Sequence, residues 1–278
     1  MVNAKRSYLA RYFLLSYLVF WILLGITGVQ IALKAPSGVI SVMKNVCAWA
    51  PTFVILIQFR RFYPETTFVA YLKRHFLSRV NPVAFLLIFA VQLLLTAAAV
   101  TAYLVISGNG VRSIAFIGLP SVLPMILINA TSGPMGEELG WRGFALTRLQ
   151  ETRTPFASAL IVGVLWGFWH LPLWVLSGYT GLELLAYVVS FMVAIISLSV
   201  VMTVAYNKQK NILIAMWIHF LFNFLLAFTN LIAVGFIACT ATCYLVLALV
   251  LAAGDRKALF LAPSSPPGSR ASLPRAAT

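Results

Sequence analysis

The chain is poor in acid. Among 278 residues only six are Asp or Glu and three are His, against twenty Lys and Arg, and charged residues make up 9%. A surface wetted on every side needs far more charge, which excludes a soluble globular domain. Cysteine is scarce too. Cys47, Cys239 and Cys243 lie in apolar stretches without CxxC spacing, so neither a disulfide framework nor a zinc cluster is indicated and they read as packing residues. The formal charge of +14 gathers on no single soluble face and is scattered among loops between hydrophobic runs, which argues against nucleic acid as a partner. No long internal repeat or second soluble domain is present. What remains is 62% hydrophobic, with apolar stretches at the length that crosses about 30 Å of hydrocarbon. The expected fold class is all-α, a polytopic transmembrane helix bundle in a lipid bilayer.

Uncharged runs predict eight spans, near 12–33, 39–59, 83–106, 113–136, 156–176, 184–206, 211–229 and 231–252. Lys44 interrupts the second, as a lysine near a helix end can when its ammonium snorkels to the interface. Residues 211–254 carry no charge. A single helix there would be about 66 Å long, so a turn is expected near Thr229-Asn230. The first run follows Lys5, Arg6 and Arg11 but is too long for a signal peptide and lacks a small-residue cleavage site. With eight spans, all Lys and Arg except Lys34, Lys44 and Arg112 fall on the side of the two termini, which the positive-inside rule makes cytoplasmic. Residues 1–258 read as one integral membrane domain with a motif-bearing core at 113–229. The Pro-, Ser- and Ala-rich end, 259–278, reads as a disordered cytoplasmic tail.

Ionisable groups inside such spans are costly and mark function by default. Glu137 and Glu138 follow Thr131-Ser132-Gly133-Pro134, which offers cap residues and a first-turn proline, so the acids stand near a helix start or a break in the fourth span. Glu138 and Arg142 are four apart and share a face, whereas Glu137 is turned about 100° away. Arg142 is thus expected to hold Glu138 ionised, leaving Glu137 to face a wet cavity as a general base. A plain i,i+4 salt bridge at the interface is the competing account. His170 lies deep in the fifth span, two residues before Pro172, where a hydrogen-bonded core histidine is the more ordinary role. His219 and Asn223, four apart in the seventh span, project together, and an amide beside an imidazole suits an oxyanion. His75, Glu65, Glu151, Glu183 and Asp255 read as solvated.

The run Glu137-Glu138-Leu139-Gly140-Trp141-Arg142-Gly143, then Trp166-x-x-x-His170-Leu171-Pro172, then His219-x-x-x-Asn223 resembles the three motifs of the CPBP family, also called Abi or CAAX prenyl protease type II. That family holds intramembrane proteases and bacteriocin-immunity relatives. The likeness covers about the C-terminal half, and the ordered set is more specific than any one piece. Trp166 stands where Phe is common. The resemblance implies that Glu137 activates water with His170, that Glu138 and Arg142 support that glutamate, and that His219 and Asn223 form an oxyanion hole. The family has also been described as metalloproteases, and Glu137, His170 and His219 offer a two-His, one-carboxylate zinc set. The lack of an HExxH helix and the suitability of Asn223 as a donor favour a metal-free glutamate mechanism without cofactor. The implied partner is a peptide or membrane-protein substrate in a bacterial inner membrane. A transporter using buried Glu and His is one rival, but the polar residues gather in spans four, five and seven rather than in matched halves. A non-catalytic immunity protein of the same fold is the other.

Overall fold

A computed structural model of the chain describes residues 2–231 and 233–261. The expected disorder of 259–278 falls almost wholly outside them. Among the described residues all regular structure is helical. In chain order come α1 (Val2–Ala32), α2 (Ser37–Cys47), α3 (Ala50–Phe62), α4 (Phe68–Phe76), α5 (Pro82–Ser107), α6 (Leu119–Thr131), α7 (Pro134–Gly140), a π-helical segment (Trp141–Leu146), its closing turn α8 (Thr147–Leu149), α9 (Pro155–Trp169), α10 (Leu171–Val175), α11 (Gly181–Gln209), α12 (Ile212–Thr229), α13 (Val234–Gly254) and α14 (Arg256–Phe260).

Local chemistry explains the boundaries. Asn81 accepts a hydrogen bond from the Val83 amide and Pro82 opens α5; Thr154 and Pro155 do the same for α9. Lys210 and Asn230, at φ 54° and 48°, take the left-handed conformation that ends α11 and α12, so the long uncharged stretch turns at Thr229-Asn230.

Among the described residues five helices are long and apolar enough to cross a membrane: α5, α11, α12, α13 and Ser7–Ala32 of α1. The pair α2–α3, bent by 53°, makes a sixth if it is one span. The expected eight is therefore not met by length. Three of the predicted spans are instead broken, the second into α2 and α3, the fourth into α6 and α7 and the fifth into α9 and α10. Pro124 inside α6, the Gly133-Pro134 joint and Pro172 after His170 are the local causes of the last two breaks. Non-helical backbone at such depth is tolerated where protein buries it or a cavity wets it.

α11 packs along α13 and α9, and α5 along α13 and α12. The short α7 is gripped between α3 and α12. Gly136 and Gly140 allow this approach: a Cβ on Gly136 would stand 2.8 Å from the Ala48 carbonyl oxygen, and one on Gly140 would stand 2.6 Å from Pro51 Cβ. The α7 helix thus rests on the α2–α3 bend.

Two expectations fail here. His75, read as solvated, is buried, with Nδ1 3.1 Å from the Tyr206 hydroxyl and its ring against Tyr71. Burial, with the nearby Arg74 charge, pushes its imidazole down to about 4. Thr131 and Ser132 do not cap α7; their hydroxyls donate back to Leu127 and Ile128 carbonyls of α6. Cys47 is buried, Cys239 and Cys243 are half-buried, and all three are free.

Candidate active site

The two carboxylates part company within one turn of α7. Glu138 is fully buried. Both its oxygens accept from Arg142 Nη1, at 3.0 and 2.9 Å, and its Oε1 lies 2.7 Å from His219 Nδ1. Arg142 is equally buried, so this is not an interfacial salt bridge. Each charge there would be ruinous alone and is tolerable only in company. The guanidinium also lies over the Trp166 ring, 4.2 Å from its centre.

Glu137 faces the other way. Its Oε2 accepts from Trp166 Nε1 at 2.6 Å, and it lines a cavity of about 880 Å³. His170, His219 and Asn223 line the same cavity. Two thirds of the sequence-predicted set therefore shares one chamber, while Glu138 and Arg142 stand behind its wall.

The histidines are fixed by acceptors. His170, at the joint of α9 and α10, donates from Nδ1 to the Trp166 carbonyl at 2.8 Å, so Nε2 is left with its lone pair in the neutral ring. His219 is oriented through Nδ1 by Glu138, which turns Nε2 towards Gly133. A Cβ on Gly133 would lie 3.0 Å from Asn223 Nδ2 and 3.1 Å from His219 Nε2. Both groups therefore converge on backbone that any side chain would fill. Position 133 is kept bare at the joint between α6 and α7.

Trp166 exceeds what its place in the sequence pattern suggests. Read as bulk in place of Phe, it donates to Glu137, carries the cation of Arg142 and meets the His219 ring edge-on at 5.1 Å. A Phe has no donor to offer there. The π-helical turn beginning at Trp141 is likewise absent from any sequence signal, though such wide turns often sit beside functional groups.

Glu137, His170 and His219 do not close into a metal-binding cluster: among the described residues no group of three His, Cys, Asp or Glu side chains is arranged to hold an ion. One Glu137 oxygen and both Nδ1 atoms are already engaged.

Residues 119–225, which carry all of these side chains, match the model of the type II CAAX prenyl endopeptidase Rce1-like family. The chain is also similar to a CAAX prenyl protease 2 of Methanococcus maripaludis, 28% identical over 241 residues that cover 80% of this chain and 85% of the relative. With three ordered motifs folded around one chamber, the chain is thus similar to CAAX prenyl endopeptidase-like membrane proteases, the family its motifs resemble.

Proposed function

We propose that the protein is an intramembrane endopeptidase in which Glu137 is the general base. The observation that carries the reading is the shared chamber of Glu137, His170, His219 and Asn223. Water held between Glu137 and His170 Nε2 gives up a proton to the carboxylate, and its oxygen attacks the scissile carbonyl carbon. The carbonyl π pair moves onto oxygen. His219 Nε2–H and Asn223 Nδ2–H donate to that oxyanion, an interaction worth about 3 kcal/mol where one such donor has been removed elsewhere. Glu137 then returns the proton to the amide nitrogen, the C–N bond breaks, and a carboxylic acid and an amine leave.

The donor role dictates the state of His219. Nδ1–H is spent on Glu138, so Nε2 must also carry hydrogen, and the imidazolium is the working form. Glu138 is its counterion and Arg142 holds Glu138 in place. The mechanism is metal-free, in keeping with the donor geometry above. Cleavage that survives exhaustive chelation fits this reading, and loss restored by zinc overturns it.

The substrate is a peptide or membrane protein, reached from the lipid-embedded chamber. The protein sits in the cell membrane with both termini in the cytoplasm, as the distribution of Lys and Arg implies. The deciding experiment compares proteomes of membranes holding wild type or Glu137→Ala in equal amounts. A cleavage product that depends on Glu137 is expected. Identical products from both would end the assignment.

A further inference from the structure

Cations distinguish the two ends of the bundle. One end gathers the start of α1, the stretch from the end of α3 to the start of α5, the α8–α9 loop, the α11–α12 joint and the end of α13. Arg11 Nε donates there to Gln58 Oε1, Arg148 Nη2 to the Phe62 carbonyl and Asn211 Nδ2 to the Phe76 and Ser78 carbonyls, and Lys208 pairs with Asp255. The opposite end joins α1 to α2 and α12 to α13, with the Ile117 amide donating to the Phe228 carbonyl. Among the described residues its cations are Lys34, Arg112 and, further inward, Lys44.

The chamber is not shared evenly between these ends. Phe20, Cys47, Ala48, Glu137, Trp166 and His219 form its buried floor. Gly28, Ile31, Ser41, Leu173 and Leu176 belong to its exposed lining. Along α1 the lining climbs from Phe20 to Ile31, about 17 Å towards Lys34, and along α2 it runs from Ala48 back to Ser41. Both paths lead to the cation-poor end. In the other direction Trp141, Phe144, Leu146 and Ile212, all fully buried, fill the bundle behind the site. His219 is about 12 Å along α12 from Asn211 at the cationic end and about 15 Å from Thr229 at the other. The site thus sits near mid-depth, floored on the cationic side and open on the opposite one.

Resting on the proteolytic reading above and its cytoplasmic placement of the cationic end, we propose that the chamber takes its peptide from the extracytoplasmic side of the membrane. The substrate class is a stretch of polypeptide presented there in extended form. Extended chain advances about 3.3 Å per residue, so a descent of about 15 Å uses about five residues. A chain end, or the flank of a membrane-spanning helix, meets that demand, whereas a loop needs about twice the length to enter and return. A protein confined to the cytoplasm is not a substrate.

The test uses the full-length protein in right-side-out and inverted membrane vesicles from the same bacterial cells. The probe is a mixed-sequence decapeptide library carrying a sulfonated N-terminal dye, which keeps it on the side where it is added. Products are mapped by mass spectrometry with Glu137→Ala as background. Right-side-out vesicles should cut the library, and sealed inverted vesicles should lose that cleavage and regain it in mild detergent. Sidedness is read separately in a Cys47→Ser, Cys239→Ser, Cys243→Ser background carrying Ser41→Cys at the mouth or Thr66→Cys in the exposed loop at the cationic end. A charged methanethiosulfonate added outside should label Ser41→Cys and lower its cleavage, and should label Thr66→Cys only in inverted vesicles. Cleavage by sealed inverted vesicles alone overturns the proposal. If Thr66→Cys is still labelled only from inside, the mouth was put at the wrong end; if it is labelled from outside, the orientation was wrong. Equal cleavage from both sides overturns it too, and in each of these cases proteolysis stands. Absence of Glu137-dependent cleavage even in detergent removes proteolysis and this assignment together. If the cysteine-free background fails to accumulate, the sided cleavage comparison, which keeps the native cysteines, decides by itself.

Discussion

The two halves of the Glu137-Glu138 pair are covalent neighbours in opposite environments. Glu138 is sealed among Arg142, His219 and the core, with every contact charge-matched. Glu137 accepts from a neutral donor, Trp166, and faces an open chamber. The difference teaches that α7 separates holding from reacting by about 100° of helix rotation. The sealed acid has both oxygens on Arg142; among the described residues no cation is bonded to the open one.

The contrast can be broken most sharply at the open acid. Glu137→Gln should lower cleavage by about a thousandfold or more while leaving thermal stability in mild detergent near wild type, because no buried charge loses its partner. Glu138→Gln should do the reverse in stability. It strands Arg142 and His219, at a cost of about 3–5 kcal/mol, read as a lower unfolding temperature, with activity lost as His219 loses its counterion. If Glu137→Gln proves the more destabilising of the two, the division fails.

A middle-sized effect sharpens the open side. Trp166→Phe keeps the bulk but deletes the Nε1–H donor to Glu137, and should reduce kcat about 10- to 100-fold with little change in KM. Gly136→Ala tests the support instead. Its Cβ meets backbone at the α2–α3 bend, not a flexible side-chain end, so a loss of about 1–3 kcal/mol in stability is expected.

The smallest effect comes from His75 on α4. Its folded ring titrates near 4 while an unfolded histidine titrates near 6.5. Above 6.5 its contribution is constant. As pH falls from 6.5 towards 4 the unfolded chain takes up the proton first, so stability declines across that window. His75→Phe should flatten that part of the unfolding curve, measured as midpoint against pH.

Legibility tracked locality. Helices α5, α11, α12 and α13 follow from unbroken apolar runs, and the Glu138–Arg142 bond from a four-residue spacing. The broken spans were hidden because hydropathy does not register where backbone leaves the helix: α6 to α7 and α9 to α10 read as continuous. His75 reads as solvated in the sequence because Tyr206, whose hydroxyl meets its ring, is 131 positions away. The donor function of Trp166 was invisible for the same reason, its acceptor lying 29 residues back on another helix. Thr131 and Ser132 carried a cap signature, but carbonyls one turn behind competed for their hydroxyls and won.

The wide π turn at Trp141–Leu146 adds part of a residue to the helix that bears both acids. Its inner end and its outer end consequently keep separate phases. Phe144, Leu146 and Leu149 can seat themselves in the bundle without dictating how the acids are aimed. Shortening this loosened winding by one residue would tie the two ends to one phase, so that either the anchor or the aim would have to give way.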